Sequence, residues 1–211
     1  PSASCELVRP RPRLPRRVLS EADVWKLLEA ADASTLIGLR DRAILELLYG
    51  SGLRRAEVAA LDLGDLDLTE GTVHVRRGKG GKGRVVPLGE TAARALLAYV
   101  ERTRASWIRS PSTAALFVAA AHCGQTGQRL SAISICLTVR RAAERAGLGR
   151  VATHALRHAV ATHLVRAGAG VRHVQEILGH AKVETTEIYT HVAVRDLLEV
   201  HARCHPRGRT G

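Results

Sequence analysis

The chain has 211 residues, 45% of them apolar, and carries 32 Lys+Arg against 20 Asp+Glu, for a net charge of +12. That length fits one domain with appendages, the apolar share is enough for a sizeable core, and the charge excess points to a polyanionic partner, nucleic acid first, with charge kept only for solubility as the plainer alternative. No apolar run approaches the ~18 residues of a membrane span, no signal peptide is visible, and Cys5, Cys123, Cys136 and Cys204 form no CxxC pair, so neither a zinc knuckle nor a disulfide framework is suggested.

Residues 1–18 are rich in Pro and Arg (VRPRPRLPRRV) and read as an extended basic linker. The chain starts at Pro1 and contains no Met, so we expect a partial or processed chain with sequence upstream. Ser20 opens a helix with a capping box in which Asp23 stands for Glu, and Val24, Leu27, Leu28 and Ala31 follow at helical spacing. A second helix is expected from about Leu39 to Tyr49, broken by Gly50-Ser51-Gly52, and a short one from Arg54 to Leu61. The period then drops to two in Asp65-Leu66-Asp67-Leu68, in Thr72-Val73-His74-Val75-Arg76 and in Val85-Val86-Pro87-Leu88, which predicts a small three-stranded antiparallel sheet.

The tip of its last hairpin is GKGGKGR, Gly78 to Arg84. Glycine alternating with lysine suggests a phosphate loop, but a P-loop needs Gly-Lys and then Ser or Thr after four spacers. Here Gly83 is followed by Arg84, so the nucleotide-loop reading fails. The glycines instead permit the positive φ of a tight hairpin.

Helices are expected again at Thr91 to about Trp107, at Ser131 to Ala146 with Gly147 as C-cap, from His154 to about Ala167 capped by Thr153, and from Val171 to Leu178 ended by Gly179. Two more are expected at 185–189 and 193–204. Residues 108–128 read as irregular around Leu116-Phe117-Val118, with 119–128 as a solvated loop. No internal repeat is found. The fold class is α+β, mostly α.

Four places carry polar residues suited to chemistry: Arg54 at a helix start, Lys79 on the hairpin, His154 and Arg157 three apart on one helix face, and His180 followed nine residues later by Tyr189. Singly, each has an ordinary explanation as a solvated charge or half-buried aromatic. His154 and His158 at i, i+4 have metal spacing, but HExxH is absent and no carboxylate is near in sequence. Together they suit metal-free phosphoryl transfer. Guanidinium forks match the non-bridging oxygens of a phosphodiester, a phenol becomes a nucleophile beside positive charge and a base, and a lysine can protonate a departing alkoxide.

These motifs resemble the catalytic domain of the tyrosine recombinase (phage integrase-like) family, Xer-type members above all. GLRRAEVAAL resembles the family's first arginine box, GKGGKGRVVPL its hairpin lysine box, THALRHAVATHLVRAG its H-x-x-R box and LGHAKVETTEIYTHV its histidine–tyrosine box. VHARCHPR resembles Xer tails, and the likeness spans about residues 15–206 in order. Ala159 and Val160 depart from the usual small-polar and aromatic pair.

The resemblance implies a DNA breaking and joining enzyme with no cofactor and no metal. Tyr189 would attack the scissile phosphate, Arg54 and Arg157 clamp its non-bridging oxygens, and Lys79 protonate the leaving 5′ oxygen. His154 would assist proton transfer and His180 donate a hydrogen bond to phosphate, while Glu57 would be a scaffold partner and Lys82 a backbone-phosphate contact. It also implies a catalytic domain over 19–206, a tail at 207–211, and an N-terminal DNA-clamping domain that this chain does not include. The expected partner is double-stranded DNA, in a tetrameric synapse of like or unlike subunits joined through the C-terminal helix, in the cytoplasm with the nucleoid. On that helix Val194, Leu197, Leu198 and His201 form the expected docking face, with packing in cis as the rival. Arg140, Arg141 and Arg145 on the basic helix from Ser131 to Ala146 are candidates for base reading, with a solvated basic face as the rival. The competing functions are a truncated, non-catalytic DNA-binding module of the same fold and a relaxing topoisomerase of the related type.

Overall fold

The computed structural model describes residues 18–76, 83–108, 113–120, 127–179 and 191–208, with the side chains of 191–193 left out. Lys79, Lys82, His180, Tyr189 and the helix expected at 185–189 lie outside the described residues.

Helix α1 (Glu21–Glu29) begins with the capping box read from the sequence: Ser20 Oγ accepts from Asp23 N, and Asp23 Oδ2 accepts from Ser20 N. Helix α2 (Leu36–Gly50) is buried on nearly every side from Leu39 onward. An all-round buried helix belongs at the centre of a domain; α1, α4, α6 and α7 all pack on it. Its start is earlier than expected because Thr35 Oγ1 caps it, accepting from Gly38 N at 3.0 Å. Charges on α2 are kept by pairing. Arg40 donates to Asp41 Oδ1 at 3.0 and 2.8 Å and lies 5.5 Å from the centre of the Trp107 ring.

Helix α3 (Arg55–Ala60) leads through a 3-10 turn, Leu63–Asp65, into the expected antiparallel sheet: β1 (Leu66–Asp67), β2 (Thr72–Val75) and β3 (Arg84–Pro87), in that order. Val73 pairs with Val86 and Val75 with Arg84. Cross-strand partners share a face, and all four are buried while His74 on the other face is exposed.

The next helix is continuous from Glu90 to Trp107 but not uniform. Helices α4 (Glu90–Ala98) and α5 (Ala105–Trp107) flank a π-helical stretch, Tyr99–Arg104. That stretch faces an extended segment. The Tyr99 hydroxyl donates to the Leu116 carbonyl at 3.2 Å and accepts from Val118 N at 3.1 Å, and Arg104 Nε donates to the Ala115 carbonyl at 2.9 Å. The expected solvated loop is corrected at both ends: Ala119 N donates to the Gln128 carbonyl at 2.9 Å, and Ala119 and Ala120 are buried. Ala120 joins a small cluster with Trp107, Ala115 and Val118, where small side chains fit and solvent does not.

Helix α6 (Ala132–Arg145) is capped by Ser131, whose Oγ accepts from Ser134 N. Helix α7 (Thr153–Arg166) starts one residue before the sequence reading. Ala152 holds the non-helical cap conformation and its carbonyl accepts from Ala155 N at 2.9 Å, so Thr153 is the first helical residue and not the cap. Helix α8 (Val171–Leu178) ends at Gly179 in the left-handed conformation. None of the described helices is long and apolar enough to cross a membrane.

Helix α9 (His191–Cys204) packs in cis against β3, α7 and α8. The buried positions are Leu197, Val200, His201 and Cys204, so the face is rotated slightly from the one expected. The turn beyond it is anchored too. His201 Nε2 meets the Gly50 carbonyl at 2.7 Å, His205 Nε2 meets the Tyr49 carbonyl at 3.2 Å, and the two imidazoles stack at 4.5 Å. Arg207, assigned to the tail from sequence, is buried. It donates to Glu46 from Nε at 3.0 Å and again from Nη2, with its guanidinium 4.4 Å from the Trp25 ring centre.

Burial holds His201 below the ordinary imidazole value; for His205 burial and then the neighbouring His201 do so more strongly. A depressed folded pKa leaves stability whole above the unfolded value, about 6.5, and removes it as pH falls through the folded value. The melting temperature should therefore drop as pH falls below about 6.5, by roughly 2–4 °C for each kcal/mol lost. His205→Gln should flatten that slope in a pH series of thermal melts.

Candidate functional site

The site forms where three parts of the chain converge: the break after α2, the N-terminal half of α7 and the end of α8. Arg157, on the inner face of α7, is only 4% exposed. Its Nη1 donates to the Gly52 carbonyl at 2.5 Å, and its Nη2 donates to the Leu178 carbonyl. The second acceptor sits at the C-terminal end of α8, where unpaired carbonyls and the helix dipole favour a cation. Burial, and then the charge of Arg54, lower Arg157 to about 10. It stays charged at neutral pH.

Two glycines make this approach possible. Gly52 has φ +60, and a Cβ there would stand 2.6 Å from a Leu178 methyl. Gly179 has φ +62, and a Cβ there would stand 2.7 Å from Arg84 Nε.

Arg54 occupies the N-cap position of α3, with its side chain 33% exposed. It donates from Nη1 to Glu57 Oε1 at 2.9 Å and from Nη2 to the Gly179 carbonyl at 3.3 Å. Its backbone N–H donates to Glu57 Oε2 at 2.8 Å. Glu57 is buried and also takes both Nη atoms of Arg84, at 2.9 and 3.0 Å. Burial raises its carboxyl, but the hydrogen bonds from Arg84 and Arg54 outweigh that and leave it below its ordinary value.

Three guanidiniums, Arg54, Arg84 and Arg157, thus face one carboxylate, leaving two positive charges in excess. Among the described residues no group of His, Cys, Asp or Glu comes together as a metal site. An arrangement of fixed guanidiniums with a partly open member can take a phosphodiester or other oxyanion bidentately.

Arg54 and Arg157 are therefore brought together, with Glu57 between Arg54 and Arg84. His154 is exposed in the first turn of α7, one turn from Arg157, and His158 is exposed as well. Arg84 was missed from sequence, where it read only as the end of the hairpin. The available signal was register: the period of two places Arg84 on the same face as Val86. On α6, Arg140, Arg141 and Arg145 are all exposed, with Arg140 Nε 3.2 Å from Glu144 Oε1. Arg55 Nη1 lies 2.9 Å from Cys136 Sγ, joining α3 to α6.

Comparison with known proteins places the chain in a family. The phage integrase family matches residues 17–195. The chain is 46% identical over 198 residues to tyrosine recombinase XerD of Ralstonia nicotianae, covering 93% of this chain and 62% of that protein. It is 47% identical over 206 residues to tyrosine recombinase XerD of Mycobacterium tuberculosis, covering 95% and 64%. Among solved structures, XerA recombinase matches with a TM-score of 0.69 and 36% identity over 93% of this chain and 67% of that one. XerH site-specific recombinase, in a post-cleavage complex with its palindromic difH substrate, matches at 0.62 and 28% over 88% and 53%. The chain spans about six-tenths of the length of the curated relatives it matches.

The role of Gly52 can be checked without DNA. Gly52→Ala forces a side chain into the left-handed region and against Leu178, and should cost about 1–3 kcal/mol. Thermal melts should show the loss at roughly 2–4 °C per kcal/mol.

Proposed function

The chain belongs to the phage integrase family, and from that we propose that it is the catalytic part of a site-specific DNA recombinase working through a 3′-phosphotyrosyl intermediate. The observation that carries this is the net-positive Arg54–Glu57–Arg84–Arg157 cluster, drawn from the first arginine box, the hairpin lysine box and the H-x-x-R box. The net charge of +12 supports a DNA partner, as does the likeness to a recombinase solved with its cleaved substrate.

In this reading Tyr189 attacks the scissile phosphorus, the phosphorus–5′ oxygen bond breaks, and Lys79 gives the leaving oxygen its proton. Arg54 and Arg157 hold the non-bridging oxygens as charge builds on them, His180 adds a hydrogen bond, and His154 moves the phenol proton. Religation is the reverse, with a 5′ hydroxyl attacking the phosphotyrosine. The phosphotyrosyl bond conserves the energy of the cleaved one, so the chemistry calls for no nucleotide, and the guanidiniums supply the positive charge. Assembly into a tetrameric synapse on DNA belongs to the same proposal. The α9 face carrying Leu197 and His201 is occupied in cis here, so a subunit contact through that face would follow its release.

The test is covalent trapping on a nicked suicide DNA carrying an Xer-type site, with EDTA present. The expected result is an SDS-resistant adduct that is lost in Tyr189→Phe, with binding that weakens steeply as salt rises. Salt-sensitive binding without an adduct would instead mark a DNA-binding module.

A further inference from the structure

Arg84 opens β3, and its ladder partner is Val75. A residue in that register belongs to the inward face, and the Arg84 side chain is 5% exposed. Burying a guanidinium is costly unless it is well paired, and an apolar residue would serve packing there with less penalty. Arg84 is paired with one group in particular. Both Nη atoms reach Glu57, at 2.9 and 3.0 Å, one to each carboxylate oxygen. Its Nε is buried without a hydrogen-bond partner, in the space that Gly179 leaves open by lacking a Cβ.

The carboxylate it holds is the one that orients Arg54. Glu57 Oε1 accepts from both Arg84 and the Arg54 guanidinium, and Oε2 accepts from both Arg84 and the Arg54 backbone. A carboxylate tethered only by Arg54, which is partly exposed, could swing with it. Fixed from behind by a buried fork, it gives Arg54 a rigid seat. Hydrogen bonding from Arg84 is also the largest influence lowering Glu57, which keeps the carboxylate ionised in its buried place.

We propose that Arg84 is a positioning residue for the phosphate clamp, fixing the orientation of the Arg54 guanidinium through Glu57. This rests on the reading of Arg54 as a phosphate ligand. Lysine cannot replace it, because an ammonium is a point charge and cannot span both carboxylate oxygens in one plane.

The experiment uses the full chain with Arg84→Lys, Glu57→Gln and the double variant. The first readout is the Arg54 guanidinium N–H signal in nitrogen-15 NMR, assigned by its disappearance in Arg54→Lys. The second is the single-turnover rate of adduct formation on suicide DNA, with DNA affinity measured alongside. Arg84→Lys should move the Arg54 signal toward that of a freely rotating arginine and slow adduct formation by roughly 30-fold or more, approaching the ~10²–10³ expected for outright loss of an oxyanion donor. DNA affinity should stay within about 3-fold, since one interior charge is conserved. The double variant should be no slower than Glu57→Gln, because both act on one path. An undisturbed Arg54 signal, or effects that multiply, would overturn the proposal. If the wild type gives no adduct, the recombinase reading fails while the Arg54 signal still decides the positioning role. If Arg84→Lys does not fold, Arg84→Gln avoids burying an unpaired ammonium and carries the same expectation for the Arg54 signal and for the adduct rate per bound DNA, with the same refutation.

Discussion

One buried cation holds the site together. Arg157 joins the Gly52 carbonyl, at the break after α2, to the Leu178 carbonyl, at the end of α8. These positions are more than a hundred residues apart, and their approach is permitted only because Gly52 lacks a Cβ. The bond works in both directions. The carbonyls satisfy a guanidinium that would otherwise be expensive to bury, and the guanidinium satisfies carbonyls stranded at chain breaks. Once placed, Arg157 fixes where Arg54 can lie, because Arg54 reaches the next carbonyl along, that of Gly179.

That architecture stores electrostatic tension. Burial first, and then repulsion from Arg54, lower the proton affinity of Arg157, and one carboxylate neutralises only part of the cluster's charge. An anion bound at the open side would relieve the repulsion. Such preorganised charge is worth far more in a shielded site than in water. The scaffold behind it is correspondingly stiff. Helix α2 is buried all round, and the C-terminal segment is pinned to its end by His201, His205 and Arg207.

Much of this was legible because local rules and the fold agree. Ser20 and Asp23 carry a capping box that needs no tertiary help, and the alternation of Val73, His74 and Val75 marks a half-buried strand. Gly179 ends a helix for the same reason glycines generally do. The misses are long-range. Ala152 caps α7 though Thr153 is the better capping residue, and the Thr153 hydroxyl instead lies 4.0 Å from Cys136 Sγ on α6. The π stretch at Tyr99 answers to Leu116 and Val118, which no local window contains. Arg207 looks like a solvated tail residue until Glu46 and Trp25 are placed beside it. Ala120 looks like loop until Trp107 is placed in its cluster, and Ala119 until it joins the main core. At the site, the ordered boxes pointed to Arg54 and Arg157. Arg84 was hidden because its partner, Glu57, lies on a different element.

In the proposed reaction Arg157 acts as a planar fork and not only as a charge. The most direct measurement is the single-turnover rate of covalent adduct formation by Arg157→Lys, per bound DNA, beside the wild type. A lysine keeps the charge but cannot bridge the Gly52 and Leu178 carbonyls while facing a phosphate. The rate should fall by about 10²-fold or more with DNA binding retained. An adduct rate within a few-fold of wild type would contradict that role, and would mean that positive charge alone, without this geometry, suffices at the site.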